Sequence, residues 1–358
     1  MQGILKILIV DDSITYRSIL ASVLNTISNV SVIATAANGK SALVKLSQNE
    51  IDLVLLDIEM PEMNGLETLQ AISEKYPHIG VVMVSGISRH SADITIQALE
   101  AGAIDFISKP DHEEIETNIE SLRKRLIPIF KNFENNRSTS KNNSAPTTNA
   151  DFGAKPKATP SYKPGKVDVI VIGVSTGGPN ALNEFIPKLP GDLGTPILLV
   201  QHMPAVFTAS LASSLDKKSA LKVKEAEAGE LIHSNTVYIA PGGKHMLIRA
   251  QRIDLTDDPP ENSCRPAVDV LFRSVAQAYG SRILAVIMTG MGNDGAEGVR
   301  SIKNKPGNYC ITQSAESCIV YGMPRAVDQL GLSDENVPLD ELAERIVSLA
   351  KPLASYKA

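Results

Sequence analysis

The chain has 358 residues, of which 43% are hydrophobic and 21% charged, and it carries a net charge of −5. That is a soluble globular composition with room for two or three domains. No segment approaches the roughly 20 apolar residues that span a bilayer as a helix, so no membrane-inserted helix is expected. Neither the first 130 residues (net −7) nor residues 167–358 (net −3) show the basic excess of a nucleic-acid binder.

The opening run Met1–Val10 meets Asp11 and Asp12 too soon for a secretory leader. The three cysteines, Cys264, Cys310 and Cys318, are odd in number and lack metal-ligand spacing, so they read as reduced thiols. Both observations point to the cytoplasm, and a monomer is expected.

In chain order, short apolar runs alternate with helical patterns. KILIV (6–10) precedes a helix from Ser13 to Leu24, and SVIATA (31–36) precedes one from Lys40 to Gln48. DLVLLD (52–57), VVMVS (81–85) and DFIS (105–108) precede helices over 65–75, 92–101 and 113–127. Five strand–helix units predict a doubly wound parallel sheet over 1–127. Residues 128–166 are rich in Asn, Ser, Thr, Pro and Lys, carry an excess of basic groups and show no apolar periodicity. They are expected to be a flexible linker. Near-continuous apolar runs return at 167–175, 196–202, 236–240 and 282–290, as suits buried parallel strands, with helices over 205–215 and 268–279. A second α/β domain is expected over 167–350, with a tail at 351–358.

In open α/β sheets, ligands bind outside the carboxyl ends of strands. In the first domain those ends carry Asp11 and Asp12, Asp57, Ser85, and then Lys109. Converging carboxylates call for a hard cation such as Mg²⁺, which takes oxygen ligands. A lysine and a hydroxyl can hold phosphoryl oxygens. Together they suit Asp57 as a nucleophile toward a phosphoryl donor.

Residues 1–127 resemble the receiver domain of two-component response regulators. The resemblance implies that Asp57 is the phospho-acceptor and that Asp11, Asp12, Asp57 and the carbonyl of Glu59 bind Mg²⁺. It also implies that Ser85 and Lys109 hold the phosphoryl group and that Phe106 is the aromatic switch. Asn64 stands where that family commonly has Asp.

In the second domain GVSTGG places Ser175 after the first strand. VQHMP places His202 after the second, and MTGMGNDG places Asp294 beyond a late one. A serine hydroxyl needs a base, and an imidazole base needs an acceptor to fix its tautomer. The chain order Ser, His, Asp argues against the α/β-hydrolase family despite the G-x-S-x-G string. His245 and His233 compete as bases, and GVSTGG also suits a phosphate-binding turn.

The segments IGVSTGGPNAL, VQHMPAVFT, APGGKHM, CRPAVDVLF, MTGMGNDGAEGV and YGMPRAV resemble the catalytic domain of the chemotaxis protein-glutamate methylesterase. That resemblance implies a Rossmann-like hydrolase domain with Ser175, His202 and Asp294 as its triad, needing no cofactor. Thr176 and Met291 would support the oxyanion and the histidine, and Cys264-Arg265-Pro266 would wall the cleft. The implied substrates are glutamate methyl esters on chemoreceptors, glutamine deamidation being a second activity. The implied phosphodonor is a chemotaxis histidine kinase. The rival expectation is a non-catalytic regulator whose second domain docks on a receptor.

Overall fold

The computed structural model describes residues 4–109, 119–120, 122–131, 133 and 167–351. Five parallel strands form the first sheet: β1 (Leu5–Val10), β2 (Val30–Ala36), β3 (Leu53–Asp57), β4 (Gly80–Ser85) and β5 (Asp105–Ser108), in the order β2-β1-β3-β4-β5. Helices α1 (Ile14–Asn25), α2 (Gly39–Gln48), α3 (Gly65–Lys75), α4 (Arg89–Glu100) and α5 (residues 122–131) cover it. Every residue of β3 and β4 is buried, as expected of aliphatic runs covered on both faces.

Side chains start these helices where the sequence carries polar caps. Ser13 accepts from Tyr16 N–H, and Asn38 and Asn64 complete capping boxes with Ser41 and Glu67. Asn64 therefore fills its unusual position as a helix cap. Helix α5 runs past the expected end at 127, because Ile129 and Phe130 bury themselves in the receiver core. Most of the expected linker, and residues 352–358 of the tail, lie outside the described residues.

The second sheet holds seven parallel strands: β6 (Val169–Val174), β7 (Ile197–Gln201), β8 (Lys222–Glu225), β9 (Thr236–Ile239), β12 (Ile283–Ile287), β13 (Tyr309–Gln313) and β14 (Glu335–Val337). Between β9 and β12 the antiparallel hairpin β10 (His245–Arg249) and β11 (Arg252–Thr256) stands apart from it. The order is β14-β13-β12-β6-β7-β9-β8. The chain leaves β6 toward β7 and later returns to β12 on its other side. A crevice therefore opens between the carboxyl ends of β6 and β12, the place where doubly wound sheets bind ligands.

Helices α6 (Gly178–Phe185), α7 (Ala205–Lys218), α8 (Val268–Tyr279), α9 (Ala296–Lys303), α10 (Met323–Gln329) and α11 (Leu339–Ala350) surround this sheet. Among the described residues no helix is long and apolar enough to cross a membrane.

The two α/β units touch. Helix α4 packs on α6 and α7, and buried apolar residues of both units form one connected cluster. The Phe106 ring stacks on Phe207 with centroids 4.7 Å apart. Ser210 donates to Asp93 at 2.5 Å, Lys218 pairs with Glu100 at 2.6 Å, and Asn180 donates to the Ala103 carbonyl at 2.8 Å.

Candidate active site and receiver site

At the carboxyl end of the first sheet, the carboxylates of Asp11, Asp12 and Asp57 offer oxygens within 4.8 Å of one another. Lys109 Nζ lies 2.8 Å from Asp11 Oδ2 and 2.9 Å from Asp57 Oδ2, above the Tyr16 ring. Burial pushes the Asp57 carboxyl up to about 6; Lys109 opposes the shift and Asp11 adds to it. One lysine is shared by two buried carboxylates with a third beside them. This all-oxygen set fits a hard divalent cation.

The Glu59 side chain accepts from Ser91 at 2.5 Å. Ser85 is buried, accepting from Thr95 at 2.9 Å and donating to the Gly86 carbonyl at 3.1 Å. Thr95 thereby ties α4 to Ser85 at the end of β4, a link that sequence spacing alone did not reveal.

In the second sheet, β6 delivers Ser175 and β7 delivers His202. Ser175 N–H donates to the Thr289 carbonyl at 3.0 Å, and His202 N–H donates to the Val174 carbonyl at 3.2 Å. The two residues thus leave adjacent strands side by side. Gly290 lies so close that a Cβ there would stand 2.8 Å from Ser175 Cβ. At Gly177, φ is +73° and a Cβ would strike Ile319. Only glycine suits both demands.

His202 Nε2 lies 2.8 Å from Asp294 Oδ2. Asp294 is buried and accepts three further hydrogen bonds, from Val268 N–H (2.7 Å), Asp269 N–H (3.0 Å) and Asn262 Nδ2 (3.0 Å). Burial alone would raise its pKa, but His202 and these donors hold it below the usual carboxylate range. Asn262 also donates to Asp269 at 2.9 Å, which joins the two carboxylates. Burial raises the Asp269 carboxyl to about 6.

Burial pulls the His202 pKa down. Asp294 and Cys264 outweigh it and lift the value to about 9. Among the described residues the Ser175 hydroxyl makes no hydrogen bond to His202. The imidazole Nδ1 instead faces Cys264 Sγ at 3.5 Å. Thr176 offers its carbonyl to Thr289 Oγ1 at 3.0 Å, and Met291 is 42% exposed.

The competing histidines are placed elsewhere. His245 is buried with both ring nitrogens engaged, by the Pro259 carbonyl and Ala267 N–H. His233 is exposed on a polar turn. Sequence reasoning missed Asn262 and Asp269. Asp269 lies within CRPAVDVLF, but Asn262 is brought in by a tight turn with Asn262 and Ser263 in left-handed backbone conformations.

The receiver reaches this crevice. Asp105 Oδ2 accepts from Gly177 N–H at 3.1 Å, two residues beyond Ser175. Asp105 is buried, and burial raises its carboxyl to about 6 against the bonds from Phe106 and Gly177. The α6 amino end thus faces a carboxylate of the other unit, as a helix start with free N–H groups favours.

Residues 170–346 match the family model described as CheB methylesterase, and residues 7–120 match the response regulator receiver domain. The chain is similar to a protein-glutamate methylesterase/protein-glutamine glutaminase of Desulfotalea psychrophila. The two are 46% identical over 97% of this chain and 99% of that protein. A protein of the same name from Geobacillus kaustophilus is 42% identical over 96% and 98% of the two chains. The crystal structure of the Thermotoga maritima CheB methylesterase catalytic domain is 43% identical, with a TM-score of 0.50. It covers 51% of this chain and 98% of that one.

Proposed function

The chain belongs to the CheB methylesterase family, and from that premise we propose that it hydrolyses glutamate γ-methyl esters on membrane chemoreceptors under control of its receiver. It is a protein-glutamate methylesterase/protein-glutamine glutaminase by kinship. The observation that carries the mechanism is the pairing of His202 with a fully hydrogen-bonded Asp294 beside Ser175, at the crevice between β6 and β12.

Ser175 Oγ attacks the ester carbonyl and its proton passes to His202 Nδ1. Asp294, ionised, accepts from Nε2–H and stabilises the imidazolium. The tetrahedral intermediate expels methanol, taking its proton from His202, and leaves an acyl-enzyme. Water then attacks, with His202 again as base, and releases glutamate. An amide substrate follows the same path with ammonia leaving. Thr176 and the backbone near Met291 support the oxyanion and the imidazole. For Ser175 to reach Nδ1, its hydroxyl must take the place that the Cys264 thiol holds in the docked state. Catalytic hydrogen bonds often tighten only in the substrate complex.

The receiver supplies control. Asp57 accepts a phosphoryl group from a chemotaxis histidine kinase, and Ser85 and Lys109 hold its oxygens. Asp11, Asp12, Asp57 and the Glu59 carbonyl would hold a Mg²⁺ ion, which would supply charge neutralisation for that transfer. In the docked state Asp105 occupies the Gly177 N–H at the α6 start, which would otherwise be free to face developing negative charge. Phe106, the proposed switch, lies against Phe207 itself, so its movement acts directly on the interface. Phosphorylation shifts the population from docked to open. The protein is expected to work as a cytoplasmic monomer.

The test is methanol release from methylated receptor fragments, with and without acetyl phosphate and Mg²⁺. Release that rises with phosphodonor in wild type but not in Asp57→Ala supports both halves. No release from folded protein would sink the hydrolase reading.

A further inference from the structure

We infer that Cys264 and His202 form an inhibitory site for a thiophilic divalent cation, with Zn²⁺ the best-matched ion. The argument begins with a distance. Cys264 Sγ and His202 Nδ1 are 3.5 Å apart. A tetrahedral zinc with bonds of about 2.3 Å to sulfur and about 2.05 Å to nitrogen places those two ligands about 3.5 Å from each other. Both atoms are therefore already at the separation that one metal ion requires.

Orientation supports the same reading. Metal-binding histidines commonly donate their second ring N–H to a carboxylate, which fixes the ring and the tautomer. Here Nε2 is held by Asp294 at 2.8 Å, and Asp294 is itself fixed by Val268, Asp269 and Asn262. Nδ1 is consequently the ring nitrogen left facing the sulfur.

The sulfur is fixed by backbone rather than by a loose loop. Cys264 N–H donates to the Glu261 carbonyl at 2.9 Å, and Glu261 N–H donates to the Cys264 carbonyl at 3.1 Å. Cys264 is partly exposed, whereas Cys310 and Cys318 are buried. The thiol of Cys264 is thus the one of the three that combines access with a histidine partner.

Binding at neutral pH costs two protons. The Cys264 thiol and Nδ1 of the charged His202 ring each release one to solvent as the metal–sulfur and metal–nitrogen bonds form, and water fills the remaining coordination positions. The metal then holds the Nδ1 lone pair that must receive the Ser175 proton, and hydrolysis stops. This inhibition rests on the proposed role of His202 as base, whereas binding of the metal does not. Arg125 on α5 is near enough to Cys264 to interact with it electrostatically. Its charge opposes a cation there while the receiver is docked, so the site fills more readily once the receiver withdraws.

The experiment uses the full chain in saturating Mg²⁺, which occupies the all-oxygen receiver site, with and without acetyl phosphate. Co²⁺ is titrated as a spectroscopic probe and then displaced by Zn²⁺. The wild type should develop a thiolate-to-cobalt charge-transfer band that Cys264→Ser and Cys264→Ala lack. Zn²⁺ should suppress wild-type ester hydrolysis at least tenfold, reversibly by chelator. Each variant, normalised to its own metal-free rate, should need at least tenfold more Zn²⁺ for the same suppression. An active wild type without the band, or equal zinc sensitivity in Cys264→Ala, overturns the site. A cobalt band in a wild type that never hydrolyses ester overturns the hydrolase reading and the inhibition with it.

Discussion

Asp57 and Asp294 are both buried carboxylates at the carboxyl ends of parallel strands, yet their surroundings drive them in opposite directions. Asp57 shares a single lysine with Asp11 and accepts from Ile58 N–H, and burial lifts it to about 6. Asp294 accepts from three N–H donors besides His202 and is held ionised. Burial is common to both, so the supply of donors decides the outcome. The receiver site is left short of positive charge and suits a cation and an incoming phosphoryl group. The hydrolase site is internally balanced and suits a proton relay.

The largest effect that can break this comparison is at the nucleophile. Ser175→Ala should lower ester hydrolysis by about 10⁶-fold, the scale seen when a triad serine is removed. Methanol release by the purified variant measures it, and a near-wild-type rate would remove Ser175 from the mechanism.

Next comes the relay. The folded His202 pKa of about 9 lies above its ordinary 6.5. Activity should therefore rise with pH through that raised value. The stabilisation that the pair gives the fold is complete below about pH 6.5 and fades as pH rises toward 9. Asp294→Asn should cost roughly 10⁴-fold in rate and lower the apparent pKa. An unchanged pH–rate profile in that variant would refute the relay.

Smaller effects are expected at the docked interface. Phe106→Ala should raise unphosphorylated activity several-fold by weakening the Phe106–Phe207 stack, and should narrow the response to acetyl phosphate. An unchanged ratio of the two rates would show that the stack does not hold the cleft closed.

The smallest effect concerns the receiver carboxylates. Because the Asp57 pKa is raised in the fold, its contribution is fully present below about pH 3.8 and is lost as pH rises through 6. Mg²⁺ binds the ionised group, so it should raise the melting temperature at pH 7 by a few degrees. It should do so less in Asp57→Asn, as calorimetry would record.

The receiver strands β1, β3 and β4 were legible because they are largely aliphatic runs, whereas β2 is only partly buried; residues 113–118 and 121 of the expected last helix lie outside the described residues. DFIS falls on β5 as expected, and Asp11, Asp57, Ser85 and Lys109 stand at neighbouring strand ends. The hydrolase sheet was read less fully. Its β8 (KVKE) and the hairpin HMLIR/RIDLT carry charged residues at their exposed positions, which dilutes the apolar signal. Ser175 and His202 were singled out because each follows a buried strand directly, and Asp294 because it lies in the glycine-rich loop beyond β12. The contacts of Asn262 with Asp294 and of Cys264 with His202 were not, since they depend on left-handed residues in a turn. Nor was that of Asp105 with Gly177, a contact that exists only through docking.

That last contact has an evolutionary consequence. The catalytic side of the latch is a backbone N–H at a position where positive φ excludes proline and Ile319 excludes a side chain. Mutation has almost no means of altering it. Variation in the strength of the proposed restraint among descendants of this protein should therefore accumulate on the receiver side, at Asp105 and its neighbours, while the loop that carries Ser175 stays fixed.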